Sequence, residues 1–203
     1  MTRDQIKAIV KAKMDEINPL DQGTTILDPQ IEANLDSSAT SLLEALPSVL
    51  AHPISTSPMP INLVAGLSVT VPCPMNFLRL HRLRLSHWRR SISDLLPNNA
   101  PEVDLQYYKH LKATINKPLG VLVRSTTAYN IICYPPESTT GAVSEFLYVA
   151  RPDNAESLHD DLIEMFSWHV AGTIYAIHGQ GENANLCTQM LKGLIEARMK
   201  YRS

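Results

Sequence analysis

The sequence predicts an α+β protein: a helical bundle of two N-terminal helices and a C-terminal helical hairpin, with a small antiparallel β subdomain inserted between them. Three observations lead there. Apolar residues recur at helical spacing near both ends of the chain. Between them lie short apolar segments separated by Pro, Gly, Ser and Thr, of which Leu119–Val123, Tyr129–Tyr134 and Val143–Ala150 read as a three-stranded meander. At 203 residues, the chain is long enough for a single domain, with 1–50 and 153–203 as the helical part and 61–152 as the β-rich insert.

Taken in order, Ile6, Ile9, Val10, Met14 and Ile17 make 4–17 a helix with one apolar stripe, and Asn18-Pro19 stops it. After a loop with Gly23, Asp28-Pro29 supplies a cap acceptor and a proline suited to the first helical turn. Ile31, Leu35, Ala39, Leu42, Leu46 and Val49 then line a second helix reaching about residue 50, with a disturbance expected at Pro47. The prolines of 52–60 exclude a helix there and make a connector. Leu67–Val71 alternates like a strand, Pro72-Cys73-Pro74 turns, and Phe77–Leu85 is a longer strand. Its apolar residues change parity between Leu80 and Leu83, which predicts a bulge or a strand packed on both faces.

Tyr107, Tyr108, Leu111 and Ile115 fit a short helix over 103–115, with core or subunit-interface packing as the expected role of the aromatics. After the meander, Ser157-x-x-Asp160 resembles a capping box, opening a helix whose face runs from Leu158 to Ile177. Gly179-Gln180-Gly181 breaks it. Asn183 is expected to cap a last helix with the stripe Leu186, Cys187, Met190, Leu191, Leu194 and Ala197. So short a turn makes the two helices antiparallel neighbours.

Composition excludes several classes. Apolar content of 44% with 19% charged residues is that of a folded domain, and a net charge of −2 gives no global basic field for nucleic acid. Three scattered cysteines without C-x-x-C spacing indicate neither disulfides nor zinc, which fits assembly in a reducing compartment. Neither a signal peptide nor a membrane span is expected. The seven histidines include no H-x-x-x-H or other short ligand pair, so no metal site is expected. Among them, His169 reads as a satisfied core histidine. No G-x-S-x-G occurs and no cysteine is flagged as a nucleophile, so neither catalytic residues nor a cofactor are assigned.

Two stretches remain. Gly179–Ala184 fits G-x-G-x-x-A, but its apolar approach is helical and no βαβ unit follows, so a helix–turn–helix break explains the glycines. Arg79, Arg82, Arg84, Arg89 and Arg90, with His81 and His87, form a dense basic stretch in a slightly acidic chain. It is either a solvated or internally ion-paired sheet face, or a contact for phosphate or an acidic protein neighbour.

The order of two N-terminal helices, a β-rich insert, Tyr134-Pro135-Pro136 after a strand, a Gly141 turn into Glu145–Pro152 and a terminal helical hairpin resembles the head-to-tail connector proteins of tailed bacteriophages. These are the adaptor or ring proteins below the portal, and Thr2–Ile6 with its amphipathic helix is most similar to versions from crAss-like phages. The resemblance implies a non-enzymatic virion structural protein of the neck or tail, made in the host cytoplasm. It also implies a homo-oligomeric ring, typically twelve-fold, that contacts the portal and neighbouring tail proteins and passes DNA with transient, non-specific contact. The alternatives are a small dinucleotide-binding enzyme using Gly179–Ala184 and a DNA-binding accessory factor using 79–90.

Overall fold

The computed structural model describes residues 1–17, 27–56, 60–61, 68–124, 128–136 and 141–202. The expected stop at Asn18-Pro19, the loop with Gly23, the middle of the 52–60 connector, Leu67 and the loop 137–140 lie wholly or partly outside them. The fold is α+β, and the chain forms two compact units, Met1–His52 with Arg151–Ser203 and, between them in sequence, Pro53–Ala150.

The helical unit is built around α4 (Ile163–Ile177). Its Ile163, Met165, Phe166, Trp168, Val170, Ala171, Ile174 and Tyr175 are all buried, so the helix is apolar nearly all round and must be enclosed. α1 (Arg3–Ile17), α2 (Leu27–Ala45) and α5 (Gly181–Arg202) pack against it. α1 turns Ile6, Val10 and Met14 inward, and the Tyr175 hydroxyl donates to the Met14 carbonyl at 2.9 Å. α2 buries Ile31, Leu35, Ala39, Leu42 and Leu46 as its periodicity predicts. It ends at Ala45 rather than near residue 50, because Pro47 cannot continue the helix, and Val49 is exposed.

Electrostatic stitching is peripheral. Arg3 pairs with Glu32 and Asp36 of α2, and Asp36 Oδ1 also accepts from the Ala155 N–H at 2.9 Å. Pairs this exposed contribute about 0–1 kcal/mol each, against roughly 1.5–3 kcal/mol for each large apolar side chain buried along α4. Packing therefore governs this unit.

The start of α4 corrects the expected boundary. The capping box is one turn earlier than Ser157-x-x-Asp160: Asn154 accepts from the Ser157 N–H at 2.9 Å and closes only a 3₁₀ turn, Ala155–Ser157. Leu158 and His159 are then extended, with ψ of 144° and 137°, before a second 3₁₀ turn leads into the helix. At its other end α4 finishes in a Schellman motif. Gly179 takes φ +71°, its N–H bonds Ala176 O, and Gln180 N–H bonds Tyr175 O. α5 opens at Gly181, so Asn183 is already in its first turn, where its amide donates to the Gln180 side chain at 3.0 Å.

The β unit holds two four-stranded sheets over a shared core. In the first, β8 (Gly141–Ala150) is central. β4 (Phe77–Leu85) pairs with it antiparallel along one edge, and β1 (Ile54–Ser55) and β2 (Pro60–Ile61) occupy the other. In the second, the order is β3 (Val69–Pro72), β7 (Tyr129–Tyr134), β6 (Leu119–Arg124), β5 (Leu96–Pro97), with β5 parallel to β6. The expected meander over 119–152 is therefore half realised. β6 and β7 form the hairpin, whereas β8 leaves for the other sheet because its buried Val143, Phe146 and Tyr148 share a core with Val69, Val71, Ile131 and Cys133. β3 and β4 likewise part after Pro74. The predicted bulge is present: β4 shifts register on β8 at three places, one of them between Leu80 and Arg82.

The expected helix over 103–115 is reduced to a single turn, α3 (Pro101–Asp104), followed by a 3₁₀ turn, Leu105–Tyr107. Its buried residue is Gln106. That side chain donates to Glu102 O and accepts from Ala113 N–H, both at 2.8 Å, and curls the segment into a loop that leaves Tyr107, Tyr108, Leu111 and Ile115 exposed.

Gly120 shows how tightly the core is filled, since a Cβ there would lie 2.8 Å from Leu95 Cδ2 and closer still to Ile92. Gly120→Ala is expected to cost about 1–3 kcal/mol through overpacking. A lowered urea midpoint checks this; an unchanged midpoint would mean that Ile92 and Leu95 move aside freely.

Candidate functional site

Two groups of side chains merit a chemical reading, one in each unit. The first is the arginine stretch. Along β4, buried Leu83 and Leu85 alternate with exposed Arg82 and Arg84, so these two arginines share the outer face. Arg82 Nη1 lies 3.3 Å from Glu145 Oε1 on the paired strand, and Ser91 Oγ reaches the other Glu145 oxygen at 3.5 Å. Arg84 Nε donates to the Trp88 carbonyl at 3.0 Å.

Arg79 is placed apart, lining an open cleft of about 270 Å³ with Leu78, Ser93, Asp94 and Leu122. Arg89 and Arg90 are exposed in the segment after β4, where the Arg89 N–H bonds Ile115 O at 2.9 Å. The structure thus brings Arg82 and Arg84 together and distributes the other three. Burial, with the Arg82 and Arg79 guanidinium groups beside it, holds His81 below the ordinary imidazole value.

The turn after β4 is fixed by one acceptor. The Pro135 carbonyl, next to the cis Tyr134–Pro135 bond, accepts from Trp88 Nε1 and from His87 Nε2, both at 3.1 Å. Trp88 is 1% exposed, so this bond satisfies an otherwise buried indole N–H.

The second group lies in the helical unit and was not flagged by sequence spacing. His52 follows the end of α2 with φ +50°, an uncommon backbone state for a non-glycine residue. Its Nε2 lies 2.9 Å from the Asp161 carboxylate, and His159 Nδ1 lies 2.6 Å from Asp161 Oδ1. The two imidazole rings stack, with centroids 4.1 Å apart and planes 10° apart. Arg198 of α5 reaches Asp161 Oδ2 at 3.4 Å. Burial works against these contacts on Asp161, but the bonds from His159 and His52 prevail and hold its carboxyl below the usual range. His159 and Asp161 form an H-x-D pair, which is the one signal the sequence offered; its partner His52 comes from the far side of the inserted unit.

The remaining chemical motifs dissolve into structure. Gly179–Ala184 joins two helices, and the element immediately before it is α4, not a strand. Burial pushes the thiols of Cys73 and Cys187 up to about 12 and about 11, and that of Cys133 higher still, so all three stay protonated at neutral pH. His169 is half-buried beside a groove between α4 and α5, and its Nε2 shares a 2.7 Å hydrogen bond with Ser41 Oγ. Among the described residues no helix is long and apolar enough to cross a membrane.

In comparison with known proteins, the chain matches no family and no curated sequence.

Burial holds the His169 ring below the ordinary imidazole value, so near pH 6 the folded chain binds fewer protons than the unfolded chain. Its contribution is complete above about 6.5 and is lost as the pH falls through the lower, folded value. Between about pH 7 and 5 the melting temperature should fall more steeply for the wild type than for His169→Gln. Parallel profiles would refute the assignment.

Proposed function

We propose that this chain is a non-enzymatic virion structural protein, a ring subunit of the head-to-tail connector of a tailed bacteriophage. In this reading it joins the portal to neighbouring tail proteins and lines the channel through which DNA passes.

One observation carries the reading beyond the sequence resemblance: each unit leaves large apolar side chains uncovered. In the β unit these are Tyr107, Tyr108 and Leu111, at 75%, 61% and 60% exposure. In the helical unit, α5 buries only Cys187 fully, while Leu186, Met190 and Tyr201, with Ile177 at the end of α4, face outward. Exposed sets of this kind mark contact surfaces. A ring subunit needs at least two different ones, because side-to-side closure joins unlike patches.

The arginine face fits a supporting role. Arg82 is partly neutralised by Glu145, leaving moderate positive charge suited to an acidic neighbour or to weak, sequence-independent phosphate contact. A ring order of twelve, the portal as partner and location in the neck follow from the resemblance and belong to the proposal.

Native mass measurement of the purified chain, alone and with portal protein, is expected to give a closed ring in at least one condition. A strict monomer in both would sink the reading. Reversing charge in Arg82→Glu with Arg84→Glu should impair particle assembly or genome retention while leaving the subunit folded, at a cost of about 1–3 kcal/mol for the exposed Arg82–Glu145 pair and the Arg84–Trp88 hydrogen bond. Normal infectivity in that variant would remove the stripe from the mechanism.

A further inference from the structure

We propose that His52, His159 and Asp161 form a binding site for one divalent transition-metal ion of the zinc class. His52 Nε2, His159 Nδ1 and an Asp161 carboxylate oxygen all lie within 4.8 Å of one another. His159 Nδ1 lies 2.6 Å from Asp161 Oδ1, and His52 Nε2 lies 2.9 Å from both carboxylate oxygens, while Arg198 approaches Oδ2 at 3.4 Å. Oδ1 thus has both nitrogens beside it, and the arginine on Oδ2 is an outer partner of the kind that orients a ligating carboxylate.

Two nitrogens and one carboxylate oxygen suit zinc, cobalt or nickel better than magnesium or calcium, which prefer all-oxygen sets. Bonds of about 2.0–2.1 Å in a tetrahedral set place ligand atoms roughly 3.3 Å apart, so the 2.6 and 2.9 Å contacts would open by about 0.7 and 0.4 Å. The stacked rings aim their lone pairs side by side, and one ring must tilt for both to reach a common ion. His159 can do this, because 59% of its side chain is exposed, whereas His52 and Asp161 are held at 30% and 32%. The same exposure leaves the remaining coordination positions to water.

Binding replaces the imidazole-to-carboxylate hydrogen bonds, so His159 must offer Nδ1, and His52 Nε2, unprotonated, each ring carrying its one proton on the other nitrogen.

The test is titration calorimetry of the untagged full chain with Zn²⁺ and with Mg²⁺ at neutral pH, with Co²⁺ absorption as a spectroscopic readout. One Zn²⁺ per chain, no Mg²⁺ heat, and at least a tenfold loss of Zn²⁺ affinity in both His52→Gln and His159→Ala are expected. The Co²⁺ visible band should change in His159→Ala, a substitution at an exposed ring, with an unchanged far-ultraviolet circular dichroism spectrum as the check on folding. Absence of Zn²⁺ binding, or full affinity in His159→Ala, would overturn the assignment.

Discussion

The helical unit depends on covering α4. A helix that buries Phe166, Trp168, Val170, Ile174 and Tyr175 around its circumference has no stable existence in water. The cover comes from both ends of the chain, α1 and α2 from the first 45 residues and α5 from the last 22 or so. The unit therefore cannot be completed until the N-terminal and C-terminal parts have met. This makes residues 53–150 an insert by necessity and gives them a core of their own.

Within that insert, β8 has the corresponding place. It is ten residues long and is the one strand paired along both edges in its sheet, with β4 on one side and β1 and β2 on the other. Its inward residues supply Val143, Phe146 and Tyr148 to the shared core, against Trp88 and the second sheet. The Pro135 carbonyl ties the end of β7 to Trp88 and His87, so the two sheets are joined by directed bonds as well as by packing. The turn that follows β4 is thereby fixed against the end of β7.

Much of this was legible in the amino-acid order. Periodicity located α1, α2, α4 and α5, because a helix carries its own partner spacing; the stripe read for α5 is the exception in burial, since of it only Cys187 is enclosed and Leu186 and Met190 are exposed. Strand existence was equally plain at 77–85, 119–123 and 129–134. Strand partnership was not: alternation tells which side chains of β8 face inward, but not whether its edge meets β7 or β4, and the nearer hairpin was the wrong choice. Local propensity failed at 103–115, where a single buried amide, Gln106, outcompeted helix continuation by bonding Glu102 and Ala113. The outer pairing of Arg82 with Glu145 was among the readings open from sequence. The meeting of His52 with His159 and Asp161 was not, since it joins residues about 107 positions apart in sequence within the helical unit.

β1 has a mechanical meaning. Ile54 pairs with Tyr148 and Ser55 with Leu147, and Thr56 N–H bonds Phe146 O at 3.1 Å, so the chain comes into the β unit and leaves it on adjacent strands. A tensile load across Pro53 and Ala150 would open this ladder like a zip, one rung at a time from Ile54 inward. It would not shear all the rungs together. The short ladder is thus a compliant clasp at the root of the insert, built to yield at low force before the longer β4–β8 ladder and the core behind it are disturbed.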